Sequence, residues 1–512
     1  MEIINNKALK LRLRDPSRVT TIIPKSAVLH NKDVLVSWGV EEAQVLKNLG
    51  IKNVPSPIMG RYDWPGQHRP FAHQKDTAAF LTMHRRAFCL SEQGTGKTGS
   101  VIWAADFLMS QRRIRRVLII CPLSIMDSAW RADLFKFAMH RSVDIAYGSA
   151  AKRKKIISGD AEFVIINYDG VEIVADEIAA AGFDLIVADE ATHYKNAQSK
   201  RWKVLNKLIK PETWLWMLTG TPAAQSPVDA YGLAKLVNPK GVPQFFTSFR
   251  DMVMVKLTNF KWVPKSTATQ TVYNALQPAI RFTKAECLDL PPMTYVKRMV
   301  ALSKQQEKYY ATMKNRMVIQ AAGEEVTAVN AATNMIKLLQ ISLGAVYSNS
   351  GEILEFDINN RYSVLKEVIA ETSNKVLIFV PFKHAIKILS ERLTGDDISN
   401  DVISGEVPVG RRTDIFSRFQ QSDDPRVLVI QPQAAAHGVT LTAADTVVWW
   451  GPIASLETYA QANARVHRPG QHHPVTIVQL QGSNVEKHIY NLLDNKIDVH
   501  TKIVELYKNL LE

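Results

Sequence analysis

The stretch CLSEQGTGKTGSVIWAADFL, residues 89–108, sets a Gly-rich turn between a short apolar strand and a helical pattern. Such a turn reads as a phosphate loop. Backbone N–H groups around Gly94, Thr95 and Gly96, reinforced by the positive end of the following helix, cradle the β- and γ-phosphates of a nucleotide. Lys97 adds a point charge and Thr98 a hydroxyl able to ligate Mg²⁺. Ser91 stands where the strict GxxxxGK[ST] pattern has its first glycine. The alternative is a structural Gly turn, and the strand and helix on either side favour the phosphate loop over it.

Downstream, DLIVADEATHYKN (184–196) delivers Asp189 and Glu190 at the C-terminal end of an apolar strand, where open α/β sheets bind ligands. In that position Asp189 would hold Mg²⁺ through its water shell. Glu190 would orient and deprotonate an attacking water, because phosphoryl transfer depends on positioning and charge neutralisation. The bland alternative is a solvated strand end. A third cluster, QANARVHRPGQ (461–471), spaces Arg465 and Arg468 three apart, on one face if the segment is helical. Their guanidinium forks fit phosphate oxygens and could act as arginine fingers; the plain alternative is a surface cation pair.

Around these motifs, VLIICP, FVIINYD, DLIVADE and WLWMLTG alternate with helical patterns over residues 66–236, as in a parallel sheet with crossover helices. A second such set, KVLIFVPF, VLVIQP, TVVWWG and VTIVQL, occupies 351–512 with the helices HAIKILSERL and GRRTDIFSRFQ between. Residues 237–350 read as helical protrusions, with Met335, Leu338, Leu339 and Ser342 spaced for one helix face. Residues 1–65, with VTTIIP, DVLVSWGV and the helix-like EEAQVLKNLG, form a small N-terminal accessory module and linker. The fold class is α/β.

A length of 512 residues with 46% hydrophobic content supports several buried cores and argues against a disordered scaffold. Lys and Arg outnumber Asp and Glu by 63 to 49, a net charge of +14 that suits a polyanionic partner without separating DNA from RNA. Cys89, Cys121 and Cys287 are not at metal-ligand spacing, which excludes a zinc framework built on them. MEIINNKALKLRLRD has no signal-peptide core, and no run approaches the ~18 apolar residues of a membrane span, so an intracellular chain outside the membrane is expected. The basic runs RRIRR (112–116) and KRKK (152–155) read as solvated charge faces before DNA contacts, and Trp449 and Trp450 as strand core.

In order and spacing these segments resemble the Snf2-like branch of superfamily 2 helicases, from about residue 69 to 490. RPFAHQ (69–74) looks like the Q motif, SEQGTGKT like motif I, VLIICPLSIMDSAW (117–130) like motif Ia with Trp130, and FVIINYD (163–169) like motif Ib. DEATHYKN (189–196) resembles motif II, MLTGTPAAQ (217–225) motif III and KVLIFVPF (375–382) motif IV. QAAAHGVTLTAADTVVWW (433–450) resembles motif V and QANARVHRPGQ motif VI. The resemblance implies two RecA-like motor domains. It also implies nucleotide roles for Gln74, Gly94, Thr95, Gly96, Lys97, Thr98, Asp189, Glu190, Gly438, Arg465 and Arg468, with ATP and Mg²⁺ as cofactors. Ser124, Tyr168, Thr219, Thr221 and Thr440 become backbone contacts to DNA by the same resemblance.

The function so implied is ATP-driven translocation on double-stranded or branched DNA by a compact monomer of the phage or bacterial kind. It would act in the cytoplasm, or in the nucleus of a eukaryote. Two departures stand out: Thr192 occupies the usual histidine position of motif II with His193 next to it, and the tryptophan expected before motif VI is replaced near Ala454. A strand-separating helicase is the competing enzyme, although the sequence offers no recognisable wedge hairpin. A non-catalytic nucleotide-gated DNA clamp is the competing binder, although it would not need Lys97, Glu190 and both arginines.

Overall fold

The computed structural model describes all residues except 30–31, 224–225, 259–261, 288–289, 324–327, 348–352, 436–438 and 496–512. The chain divides into two units, Met1–Cys287 and Leu288–Glu512. Each is built on a parallel sheet. In the first, the spatial order is Ala279–Ile280, Arg86–Cys89, Trp214–Leu218, Leu185–Asp189, Val117–Cys121, Phe163–Asn167, Val143–Ala146. All neighbours in this sheet run parallel.

Strand side chains alternate between the two faces, and both faces are covered. Leu118, Ile120, Val164, Ile166, Ile186, Ala188, Leu215 and Met217 join one core, while Val117, Ile119, Phe163, Ile165, Val187 and Trp216 join the other. Burial on both sides is why these strands read as continuous apolar runs. The helix Lys97–Ser110 lies deep in the second of these cores. Cys89 and Cys121 are buried in strands, which pushes both thiols up and leaves them packing residues.

The second unit repeats the plan in the order Met293–Met299, Val475–Gln481, Ala444–Trp449, Lys375–Phe379, Val427–Ile430, Asn400–Ile403. Its strands are likewise all parallel. Trp449 and Trp450 fill its two cores on opposite faces and are fully buried. Residues 237–350 do not form a segment of their own. The part up to Cys287 packs with the first unit and supplies its edge strand, whereas the helices Lys304–Gly323 and Ala328–Leu343 belong to the second, with Met335, Leu338 and Leu339 in its core.

The N-terminal residues form an antiparallel sheet, Glu2–Ile4, Ala8–Arg12, Asp33–Ser37 and Ser26–Val28 in spatial order, over the helix Val40–Asn48. VTTIIP is not extended there: Pro16 leads into the short helix Ser17–Thr20, and only Val19 and Ile23 turn inward. Val40 reaches into the first unit's core, and Arg113 pairs with Glu41, so RRIRR is partly a docking element. Arg116 and Arg153 are structural as well. Arg116 donates to the carbonyls of Ala161, Ala181 and Ile157, and Arg153 to Ala146 O and Asn167 Oδ1. A hairpin, Met254–Lys256 with Trp262–Pro264, also stands apart from the first unit's main sheet. No helix among the described residues is long and apolar enough to cross a membrane.

A buried ion pair pins the second unit. Arg361 Nη2 donates to Glu486 Oε1 at 2.7 Å with both side chains at most 2% exposed, and Arg361 also donates to Trp450 O. Glu486 Oε2 takes the N–H groups of Gly482 and Ser483, each at 2.7 Å, capping the helix Asn484–Asp494. Glu486→Ala strands a buried guanidinium and uncaps that helix, so stability should fall by about 3–5 kcal/mol. Denaturant unfolding checks this, and a loss below about 1 kcal/mol would contradict it.

Candidate active site

Three neighbouring strands of the first unit end side by side. Leu218 pairs with Cys89 on one flank and with Asp189 on the other, so the loops after residues 89, 189 and 218 share one edge. Thr219 N donates to Cys89 O at 3.1 Å, and a Cβ on Gly220 would lie 3.6 Å from Ser91 O and 3.7 Å from Gln93 N. A sheet spacing of about 4.8 Å thus assembles the site directly.

In the phosphate loop Gly94 and Gly96 adopt φ of +83° and +79°, a left-handed geometry that glycine takes without strain. A Cβ on Gly96 would fall 1.9 Å from Gln74 Nε2, the movable end of a side chain, so it is the backbone conformation that requires glycine there. Gln74 in turn accepts Phe71 N–H through Oε1 at 2.9 Å and approaches Thr95 O at 3.4 Å through Nε2. His73 Nε2 lies 2.9 Å from that carbonyl, and Thr95 Oγ1 donates to Glu92 O at 2.8 Å. Lys97 Nζ donates to Ser91 O at 2.8 Å and Glu92 O at 3.1 Å, at the head of the helix it begins.

Asp189 is held at both oxygens, by Trp130 Nε1 at 2.9 Å on Oδ2 and by Glu190 N at 3.0 Å on Oδ1. Glu190 sits at φ +53°, ψ 54°, a left-handed conformation that costs a non-glycine residue about 1–3 kcal/mol. Tyr168 supports this turn by donating its hydroxyl to the carbonyls of Asp189 and, at 3.1 Å, Glu190. Burial raises the Tyr168 phenol well above its ordinary value and keeps it a donor. His193 lies against the Tyr168 ring at 4.4 Å between centroids, with Arg201 Nη1 3.3 Å from its Nδ1. The histidine displaced by one place in motif II therefore braces the turn through Tyr168.

The donor set suits a nucleotide with a hard cation: loop N–H groups, Lys97, the Thr98 hydroxyl and the oriented Asp189 carboxylate. Tyr168 and Thr219, expected to touch DNA, are 5% and 1% exposed. Their hydroxyls meet the protein's own backbone, Thr219 Oγ1 accepting Thr221 N–H at 3.1 Å and Tyr168 donating to Glu190 O at 3.1 Å. Ser124 Oγ and Thr221 Oγ1 are buried without a hydrogen-bond partner among the described residues, and Thr440 is exposed on the second unit. Gly438 lies outside the described residues.

Arg465 and Arg468 do not share a helix. The helix Leu456–Asn463 ends before them, Val466 is buried, Arg465 O accepts Leu441 N–H, and Arg468 Nη1 donates to Val439 O at 3.0 Å. Pro469 disfavours helix at Arg468. Sequence reasoning missed His73, Glu92 and Phe282, whose ring lies 5.8 Å from that of His73. Trp130 carried a motif but no role on Asp189.

Residues 73–345 match the SNF2-related domain and residues 360–470 the helicase conserved C-terminal domain. The SWI/SNF-related matrix-associated actin-dependent regulator of chromatin subfamily A-like protein 1 of Drosophila melanogaster is 25% identical over 456 residues, covering 87% of this chain and 57% of that protein. An uncharacterized ATP-dependent helicase of Mycoplasma genitalium is 26% identical over 435 residues, 82% of this chain and 40% of its own length. Protein p41 of Acyrthosiphon pisum secondary endosymbiont phage 1 is 24% identical over 429 residues, 78% of this chain and 88% of its own. The chain thus spans only 57% and 40% of the first two relatives. With more than half its length matched by the SNF2-related domain, this chain belongs to the SNF2 family.

Proposed function

We propose that the chain is an ATPase motor that moves along double-stranded DNA. The observation that carries this reading is the shared strand edge, where Lys97, Asp189 with Glu190, and the Thr219–Thr221 loop meet. Lys97 would exchange its hold on the Ser91 and Glu92 carbonyls for phosphate oxygens, a charge-assisted and stronger bond. Glu190, set off the strand by its left-handed backbone, orients and deprotonates the attacking water. Mg²⁺, held by Thr98 and Asp189, would neutralise charge on the β- and γ-phosphate oxygens. Arg465 and Arg468 would supply positive charge to the γ-phosphate as it leaves.

Exposed Thr440 suits a phosphate contact on a strand, and Ser124 and Thr221 would make one by turning their buried, unpartnered hydroxyls outward. Contacts of that kind carry no base information and fit movement along any sequence. A second reading, strand separation, draws on the hairpin Met254–Lys256 with Trp262–Pro264, whose Val255 and Leu257 are 42% and 58% exposed. Displacement of a third strand from a triplex, compared with unwinding of a forked duplex, distinguishes the two. Tracking displaces the third strand and leaves the duplex intact.

Lys97→Ala and Glu190→Gln should each lower ATP turnover by about a hundredfold or more while DNA affinity stays within about threefold, read by coupled ATPase assay and fluorescence anisotropy. Wild-type turnover in either variant would remove the assignment. Trp130→Phe keeps an aromatic, though smaller, ring and deletes the donor on Asp189 Oδ2. It should raise the Mg²⁺ concentration for half-maximal turnover and lower kcat about tenfold, roughly 1.4 kcal/mol of barrier. An unchanged Mg²⁺ titration would contradict that role.

A further inference from the structure

The edge strand Ala279–Ile280 continues as a ladder along the phosphate loop. Phe88 N donates to Pro278 O at 3.0 Å, Leu90 N to Ile280 O at 2.8 Å, and Glu92 N to Phe282 O at 2.9 Å. Two side chains of the loop complete the attachment: Ser91 Oγ accepts Phe282 N–H and Glu92 Oε2 accepts Lys284 N–H, each at 3.0 Å. Just beyond, after Cys287, the chain passes to the second unit. Ser91 is 2% exposed, so its bond lies in a dry setting where it is stronger than in water. Glycine, which the strict motif has at this position, has no side-chain oxygen to accept the Phe282 N–H.

The carbonyls of the same two residues, Ser91 and Glu92, are those that hold Lys97 Nζ. One lysine therefore steadies two residues that in turn fasten the connector. We infer that Pro278–Lys284 is a latch: phosphate drawing Lys97 away from the Ser91 and Glu92 carbonyls changes the grip of these residues on Phe282 and Lys284, and so relays nucleotide state to the chain entering the second unit. Ser91 and Glu92 are positioning residues in this relay. The inference rests on the ATP-site reading above.

Lys284 is the first residue of the helix Lys284–Cys287, a position where proline is tolerated. Lys284→Pro deletes the N–H that Glu92 accepts, and Lys284→Ala keeps it. Hydrogen exchange is followed in residues 91–98 and 278–287 with Mg²⁺ and ADP–beryllium fluoride, beside ATPase assays with and without duplex DNA. Wild type and Lys284→Ala should respond in both segments. Lys284→Pro should respond only in 91–98 and lose about fivefold of its DNA stimulation, with basal kcat and KM for ATP within about twofold. Protection confined to 91–98 in the wild type, a Lys284→Pro variant like the wild type, or an equal fall of basal and stimulated turnover would each overturn the latch. No response in 91–98 would overturn the ATP-site reading and the latch with it.

Discussion

Parallel pairing of Arg86–Cys89, Trp214–Leu218 and Leu185–Asp189 is the constraint from which the site follows. Parallel strands place all their C-terminal ends at one edge, and ladder spacing sets adjacent ends about 4.8 Å apart. The phosphate loop, the acidic pair and the Thr219 loop therefore need no long side chains to meet. Shifting any of these strands by one residue would exchange its side chains between the two cores and move its C-terminal end along the edge, so the packing and the chemistry are specified by the same register.

Around that edge, rigid partners fix each group. Trp130 Nε1 and Glu190 N orient the Asp189 carboxylate, while Tyr168, backed by His193 and Arg201, supports the left-handed turn at Glu190. Tyr168 opens the helix that follows strand 163–167, and Trp130 lies in the helical segment Met126–Arg131 that follows strand 117–121. The strain at Glu190 is sustained because one buried donor, the Tyr168 hydroxyl, is shared between the Asp189 and Glu190 carbonyls.

Much of this was legible in the amino acids. Strands buried on both faces announce themselves as apolar runs such as VLIIC and WLWML, and the loop glycines and Asp189–Glu190 follow those runs at once. Roles that depend on distant partners were not legible: Phe282 meets Ser91 across 191 positions, and Trp130 meets Asp189 across 59. Tyr168 and Thr219 fit a contact pattern by residue type, yet their place on buried strand ends turns their hydroxyls to the backbone. The spacing of Arg465 and Arg468 suggests a helix face, but the helix ends at Asn463, and Pro469 disfavours helix at Arg468. The boundary at Cys287–Leu288 leaves no mark in the sequence, because helices carry the same amphipathic signal whichever unit they cover.

Steady-state ATP turnover of the purified chain, measured without nucleic acid and then with single-stranded DNA, duplex DNA, forked DNA and RNA, tests the central claim most directly. The account predicts Lys97-dependent turnover that rises strongly with duplex or forked DNA. Stimulation by single strands or RNA alone, or no Lys97-dependent turnover with any of them, would contradict it.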